Sequence, residues 1–404
     1  ILPLIIHYGS EWFSPLTTVL FFLLLSSLSA YLPAGLSFIL ITDKKVETMK
    51  MNFLTSTILL AALSMHGLQA TACTGITLKS KDSTTVVART IEWGGTNLNS
   101  QYVIVPRKHV SQSMTPTGTD GMIFKAKYGY VGLAVEMKEF IAEGINEAGL
   151  SAGLFYFPHC GQYEKYNPDR RTNSIADLQL VPYLLGECAT LEEVKRQVER
   201  GHIINIDPRA STVHWRFTDA SGKQLVLEII NGKPQFYENK LGVLTNSPGF
   251  EWQLTNLNNY VNLYPGTAPA QQLNELSLRS FGAGSGFLGL PGDVTPPSRF
   301  VRDAFYQATA PQQETALGTV LQSFQILNNF DIPIGIEFPL GKVPADIPSA
   351  TQWTSATDMK NRIIYFRTMY NSTLRSIDLR TIDFEKVSYQ AALMDTDKQP
   401  KIES

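Results

Sequence analysis

The order in which strand-like and helix-like segments follow one another constrains this chain more than any other feature. Short runs rich in Val, Ile, Thr and aromatic residues, bounded by turn residues, come first, at 74–79, 84–91, 101–106, 130–137 and 150–157. Two helical patterns follow. Residues 174–187 carry apolar side chains at helical spacing, with Pro182 as an expected kink, and residues 190–200 open with Thr190 and Glu193 in a capping box. Strand-like runs resume at 212–218, 223–230, 235–238 and 242–245, with Asn231-Gly232 as a hairpin turn. Helices are expected at 298–309 and 313–329, then strands at 361–368 and 373–379. Strands, helices, strands, helices, strands is not a regular βαβ alternation. The pattern fits antiparallel sheets with helices packed outside them, an α+β architecture.

The first 72 residues are a different kind of sequence. Residues 1–42 contain one charged side chain, Glu11, and Leu16 to Ile41 is an uncharged run long enough to span a bilayer. A second pattern begins at Met49. Lys50 gives a positive flank, 53–65 is a short apolar run, and Ala70-Thr71-Ala72 has the A-x-A form of a signal-peptidase site. Residues 49–72 are therefore expected to be a secretory signal, and 73–404 one domain, exported to the periplasm or beyond the cell. Residues 1–48 are expected to be over-long translation with the start at Met49 or Met51; a membrane anchor or a fragment of another gene stays open.

Charge and cysteine use narrow the function. Lys plus Arg is 34 and Asp plus Glu is 36, so there is no basic excess for a nucleic-acid partner. The three cysteines are Cys73, Cys160 and Cys188. Cys160 and Cys188 are expected to be free, although one bridge between them stays open. No C-x-x-C or H-x-x-x-H spacing occurs, so neither a metal nor a cofactor is expected. Gly149-x-Ser151-x-Gly153 matches a nucleophile elbow, but a β-like run follows where a helix is needed. Gly284-x-Gly286-x-x-Gly289 matches a dinucleotide fingerprint without opening a helix.

Cleavage after Ala72 would make Cys73 the first residue. Its thiol is then a nucleophile whose own α-amine, with a pKa of about 7.7–8.0, is within reach as a base. An adjacent positive group would raise the thiolate fraction.

Three motifs carry a resemblance. Cys73-Thr-Gly-Ile-Thr leads through a hairpin to Arg89-Thr-Ile-Glu92-Trp93-Gly. Further on are Leu241-Gly-Val-Leu-Thr-Asn246-Ser-Pro-Gly-Phe-Glu-Trp252 and Gly286-Phe-Leu-Gly-Leu-Pro-Gly-Asp293-Val-Thr-Pro-Pro-Ser-Arg299-Phe300. Residues 73–404 resemble the choloylglycine hydrolase family, the bile salt hydrolases and penicillin V acylases. The resemblance implies an N-terminal-nucleophile hydrolase with a four-layer αββα sandwich and a homotetramer. It implies Cys73 as nucleophile and amine base, Arg89 beside the thiol, Asn246 in the oxyanion hole and Arg299 as a second site arginine. Glu92 stands where the family carries Asp, one methylene longer. Tyr156 is taken for the position at which such enzymes carry Asn or Tyr, with Phe155 the alternative. Trp93, Phe155, Tyr156 and Phe157 are expected to wall an apolar pocket. The implied partner is a small-molecule amide: a conjugated bile salt, penicillin V or an N-acyl homoserine lactone.

Overall fold

The computed structural model describes residues 71–206, 211–339, 341–345 and 347–398, together with three short strands earlier in the chain. Those strands, Ile5–His7, Ile39–Thr42 and Lys45–Thr48, form a small sheet in a unit spanning Ile1–Leu68; Gln69–Ser404 is a second unit. The expected signal lies outside the described residues up to Ala70, as does the run 16–38. Among the described residues no helix is long and apolar enough to cross a membrane.

In chain order the strands of the second unit that build its two large sheets are β1 (Thr71–Lys79), β2 (Thr85–Trp93), β3 (Gln101–Val105), β4 (Tyr130–Ala134), β5 (Ile141–Asn146), β6 (Ser151–Tyr156), β7 (Val213–Thr218), β8 (Gln224–Ile230), β9 (Lys233–Glu238), β10 (Thr351–Asp358), β11 (Ile363–Thr368), β12 (Arg375–Asp378) and β13 (Gln390–Leu393). A five-stranded sheet runs β12-β11-β10-β2-β1 and an eight-stranded sheet β9-β8-β7-β6-β5-β4-β3-β13. Every pairing in both sheets is antiparallel.

The principal helices are α1 (Leu180–Glu187), α2 (Leu191–Arg200), α3 (Phe250–Asn256), α4 (Pro296–Thr309) and α5 (Ala316–Leu327). Strand alternation decides which residues meet which layer. Ile76 and Leu78 of β1, Val86 and Ala88 of β2 and Ala356 of β10 pack against Val320, Phe324 and Leu327 of α5. The alternate residues, Cys73, Val87 and Ile91, join the core that contains Leu154, Phe155 and Trp215 of the facing sheet. Helix α4 contacts β1, and α1 contacts β5 and β6 from the far side. The result is the four-layer αββα sandwich. Gly75 lets the sheets approach: a Cβ there would lie 2.8 Å from the Phe155 ring.

Several expected elements shift. The first helical pattern is divided. Ser174–Ala176 is a strand paired in parallel with His202–Ile204, and the helix begins only at Leu180. Pro182 does not kink it, because it sits in the first turn, where its missing N–H has no intrahelical partner. The expected strand 242–245 reduces to one bridge between Leu244 and Gly75. Helix α4 starts two residues early, with proline in its first positions. The capping box of α2 and the Asn231-Gly232 turn, both residues at positive φ, form as expected. Cys160 and Cys188 are free thiols. Ser151 lies buried within β6, so it is no elbow.

Candidate active site

Cys73 stands near the start of β1 on its inner face and is 4% exposed. Thr71 and Ala72 continue the strand ahead of it, so its nitrogen here is a peptide amide. That N–H donates to Asn246 Oδ1 at 2.9 Å. Arg299, on the first turns of α4, donates from Nη1 to the Cys73 carbonyl at 2.6 Å and to Thr74 Oγ1 at 2.7 Å. Its Nη2 reaches Asn246 Oδ1 at 2.7 Å and its Nε the Val294 carbonyl at 2.9 Å. The planar guanidinium thus grips strand, loop and helix start at once.

Two donors on Asn246 Oδ1 fix which way the amide faces. Its Nδ2 donates to the Tyr156 carbonyl at 2.7 Å and keeps a second hydrogen. The residue before it is held too: His214 of β7 contacts the Thr245 carbonyl at 3.1 Å through Nε2 and Glu228 at 3.2 Å through Nδ1. The Tyr156 backbone N–H points at the Cys73 thiol.

Arg89 of β2 lies in register with Gly75, two residues along from Cys73. It is fully buried between the sheets, donating to Thr90 of its own strand and, across the layer, to the carbonyls of Ala142 and Leu154. Its guanidinium sits 4.1 Å over the Phe155 ring. Burial pushes the thiol above its usual value. The Arg89 charge is the strongest influence in the other direction, with the Tyr156 N–H and Arg299 adding to it, while Glu92 pushes the thiol further up.

Glu92 stands opposite Ala72 in the strand register. One oxygen accepts from Thr351 Oγ1 at 3.4 Å, and the other is buried without a hydrogen-bond partner. Burial pushes its carboxyl up to about 8, against the pull of Arg299. Glu337, whose Oε2 is also buried without a partner, adds to that rise.

The structure therefore brings together Cys73, Arg89, Glu92, Asn246 and Arg299 from four separated stretches of chain. The pocket residues divide. Trp93 and Tyr156 remain partly exposed. Phe155 and Phe157 are corrected to core: both are 0% exposed, Phe155 beneath Arg89 and Phe157 stacked on His214 at 4.3 Å. Alternation cannot keep 155 and 157 on a wet face when the inner layer is closed by the other sheet. The sequence reading missed Glu143, Arg216, His214 and Glu228, all buried polar residues on strands. Among the described residues no group of three or more His, Cys, Asp and Glu side chains could hold a metal ion.

The family model for linear amide C–N hydrolases, choloylglycine hydrolase family, matches residues 73–393. The chain belongs to the choloylglycine hydrolase family. It is a hydrolase of linear amides, and the match begins at Cys73 itself. The bile salt hydrolase/transferase of Clostridium perfringens is 32% identical over 310 residues, 74% of this chain and 90% of that one. A crystal structure of a variant of the conjugated bile acid hydrolase from Clostridium perfringens matches with a TM-score of 0.71 at 28% identity, covering 82% of this chain and 99% of that one. Penicillin V acylase of Pectobacterium atrosepticum is 24% identical over 339 residues, 76% of this chain and 81% of that one.

Proposed function

We propose that the chain, cut after Ala72, hydrolyses its amide with Cys73 as an N-terminal nucleophile. The observation that carries this is the setting of the thiol. It faces the Tyr156 N–H, with Arg89 beside it, while Asn246 and Arg299 grip its own backbone. The thiol passes its proton to the α-amine and Sγ attacks the substrate carbonyl. The oxyanion takes the Tyr156 N–H and the free hydrogen on Asn246 Nδ2. The α-amine gives its proton to the departing nitrogen, the C–N bond breaks, and a thioester remains. Water, deprotonated by the same amine, releases the acid. Each oxyanion donor of this kind contributes roughly 3 kcal/mol. Glu92, opposite Ala72, is the carboxylate that orients the freed amine.

The substrate we favour is a glycine- or taurine-conjugated bile salt, in keeping with the bile salt hydrolase/transferase relative. Penicillin V is the second reading, favoured by the partly exposed aromatic Tyr156 and by the penicillin V acylase relative. N-acyl homoserine lactones offer the same apolar acyl group on an amide. Trp93 and Tyr156 are the proposed acyl contacts. We also propose export through the signal at 49–72, and a homotetramer. The exposed hairpin Gln271–Leu273/Leu276–Leu278, with Leu276 on it and Phe281 and Leu288 after it open to solvent, is proposed as an arm that packs on a second copy of the chain.

The test is protein beginning at Cys73, offered glycocholate, taurocholate, penicillin V and a long-chain acyl homoserine lactone. Amine release from one of them is expected. Release from none, by correctly processed and folded protein, contradicts the acylase reading and favours a non-catalytic exported binding protein.

A further inference from the structure

Beneath Arg89 lies a charged arrangement that the acyl-transfer roles leave unused. Glu143 of β5 and Arg216 of β7 are each 1% exposed, inside the layer between the sheets. Arg216 Nη2 contacts both Glu143 oxygens, at 3.1 and 3.3 Å. Its Nη1 reaches the carbonyls of Ile76 and Ala88, at 3.4 and 3.3 Å, on the strands that carry Cys73 and Arg89. Arg89 Nη1 is 3.7 Å from Glu143 Oε2, too far for a hydrogen bond. The Phe155 ring is shared by the two guanidiniums, 4.1 Å from Arg89 and 5.4 Å from Arg216. Glycines make the room. A Cβ on Gly75 would come within 3.0 Å of Arg216 Nη1, and one on Gly153, paired with Glu143, would overlap its carboxylate.

Two guanidiniums share one carboxylate, so the trio carries one net positive charge in a dry layer, where unbalanced charge acts strongly. Arg216 holds the carboxylate by two contacts. Arg89, with only the long one, is capped by main-chain carbonyls and keeps its field for the thiol. We propose that Glu143 and Arg216 are positioning residues whose unequal sharing of one carboxylate sets the ionisation of the Cys73 thiol. This rests on the reading of Cys73 as nucleophile. The other charged groups around the thiol are Glu92 on β2 and Arg299 on α4, with Asp303 of α4 facing Arg216 and Glu337 facing Arg299.

The two partners have opposite signs, so their removal has opposite effects. The whole chain is expressed, and the pH dependence of iodoacetamide alkylation is read by mass spectrometry on the peptide carrying Cys73. Glu143→Gln leaves both guanidiniums unopposed and lowers the alkylation midpoint by about one pH unit. Arg216→Met frees Glu143 to neutralise Arg89 and raises it by about one pH unit. The double variant restores the net charge and returns the midpoint to the wild-type value. A role confined to packing would not give opposite signs. Shifts of the same sign, or none, overturn the proposal. Where Glu143→Gln does not fold, Glu143→Asp, which withdraws the carboxylate by one methylene, is expected to lower the midpoint by less; a rise or no change overturns the proposal equally. If complete alkylation of wild-type Cys73 leaves turnover intact, the nucleophile reading itself fails. Unmoved midpoints with alkylation-dependent loss of turnover overturn only the roles of Glu143 and Arg216.

Discussion

Asn246 accepts the Cys73 backbone N–H at 2.9 Å across 173 positions of sequence. That bond, with the Arg299 donor on the same oxygen, turns the asparagine's NH2 toward the Tyr156 carbonyl. Asn246→Ala removes the proposed oxyanion donor and is expected to lower kcat by about 100- to 1,000-fold, with a smaller change in KM. Steady-state kinetics on the processed variant checks this. A rise in KM with kcat unchanged would instead assign Asn246 to substrate affinity.

Arg299 serves the architecture as well as the site. It is fully buried and donates to four acceptors on the strand, the loop and the start of its helix. Arg299→Met removes four buried charge-assisted hydrogen bonds, leaving Asn246 Oδ1 with only the Cys73 N–H, and is expected to cost about 3 kcal/mol of stability. Urea unfolding of the two proteins at one pH measures it.

Glu92 makes stability depend on pH in the unusual direction for a carboxylic acid. Its carboxyl moves from an ordinary value near 4.5 up to about 8, because it is buried. The folded state therefore binds the proton more tightly than the unfolded one. This contribution is most favourable below about 4.5 and is lost as pH rises through about 8. In the chain that keeps Ala72, Glu92→Gln should lose less stability than wild type between those limits, read as melting temperature against pH. Processing places an α-ammonium beside the carboxyl and should shrink the difference.

The proposed arm gives a test of assembly. Phe281 is fully exposed, with Leu276 and Leu288 more than half exposed. Phe281→Asp is expected to convert a tetramer to smaller species in light scattering, without altering the circular dichroism. A wild-type monomer would remove the proposal.

What the sequence disclosed depended on how each element met solvent. Strands with one wet face, such as β9 with its alternating burial, showed their period. β5 and β10 were missed because buried polar residues interrupt their apolar runs, Glu143 and Asn146 in the first and Gln352, Ser355 and Asp358 among others in the second. Polar residues in a closed layer read as loop until their partners are known. The candidate set of Cys73, Arg89, Glu92, Asn246 and Arg299 was legible because motifs flank each member. Glu143 and Arg216 were not: each is ordinary in its own strand, and only the register of one sheet, which sets Gly153 of β6 between them, makes them neighbours. The same closure explains Phe155 and Phe157, aromatic residues that fill the layer where a pocket was expected.

The central claim is that the Cys73 sulfur carries the acyl group. The direct measurement is mass spectrometry of processed enzyme, mixed with substrate, quenched in acid within one turnover and digested. The account predicts an added acyl mass on the N-terminal peptide beginning at Cys73, absent from Cys73→Ser. Turnover with no adduct there, an adduct on another residue, or full activity from protein that retains Ala72 would contradict it.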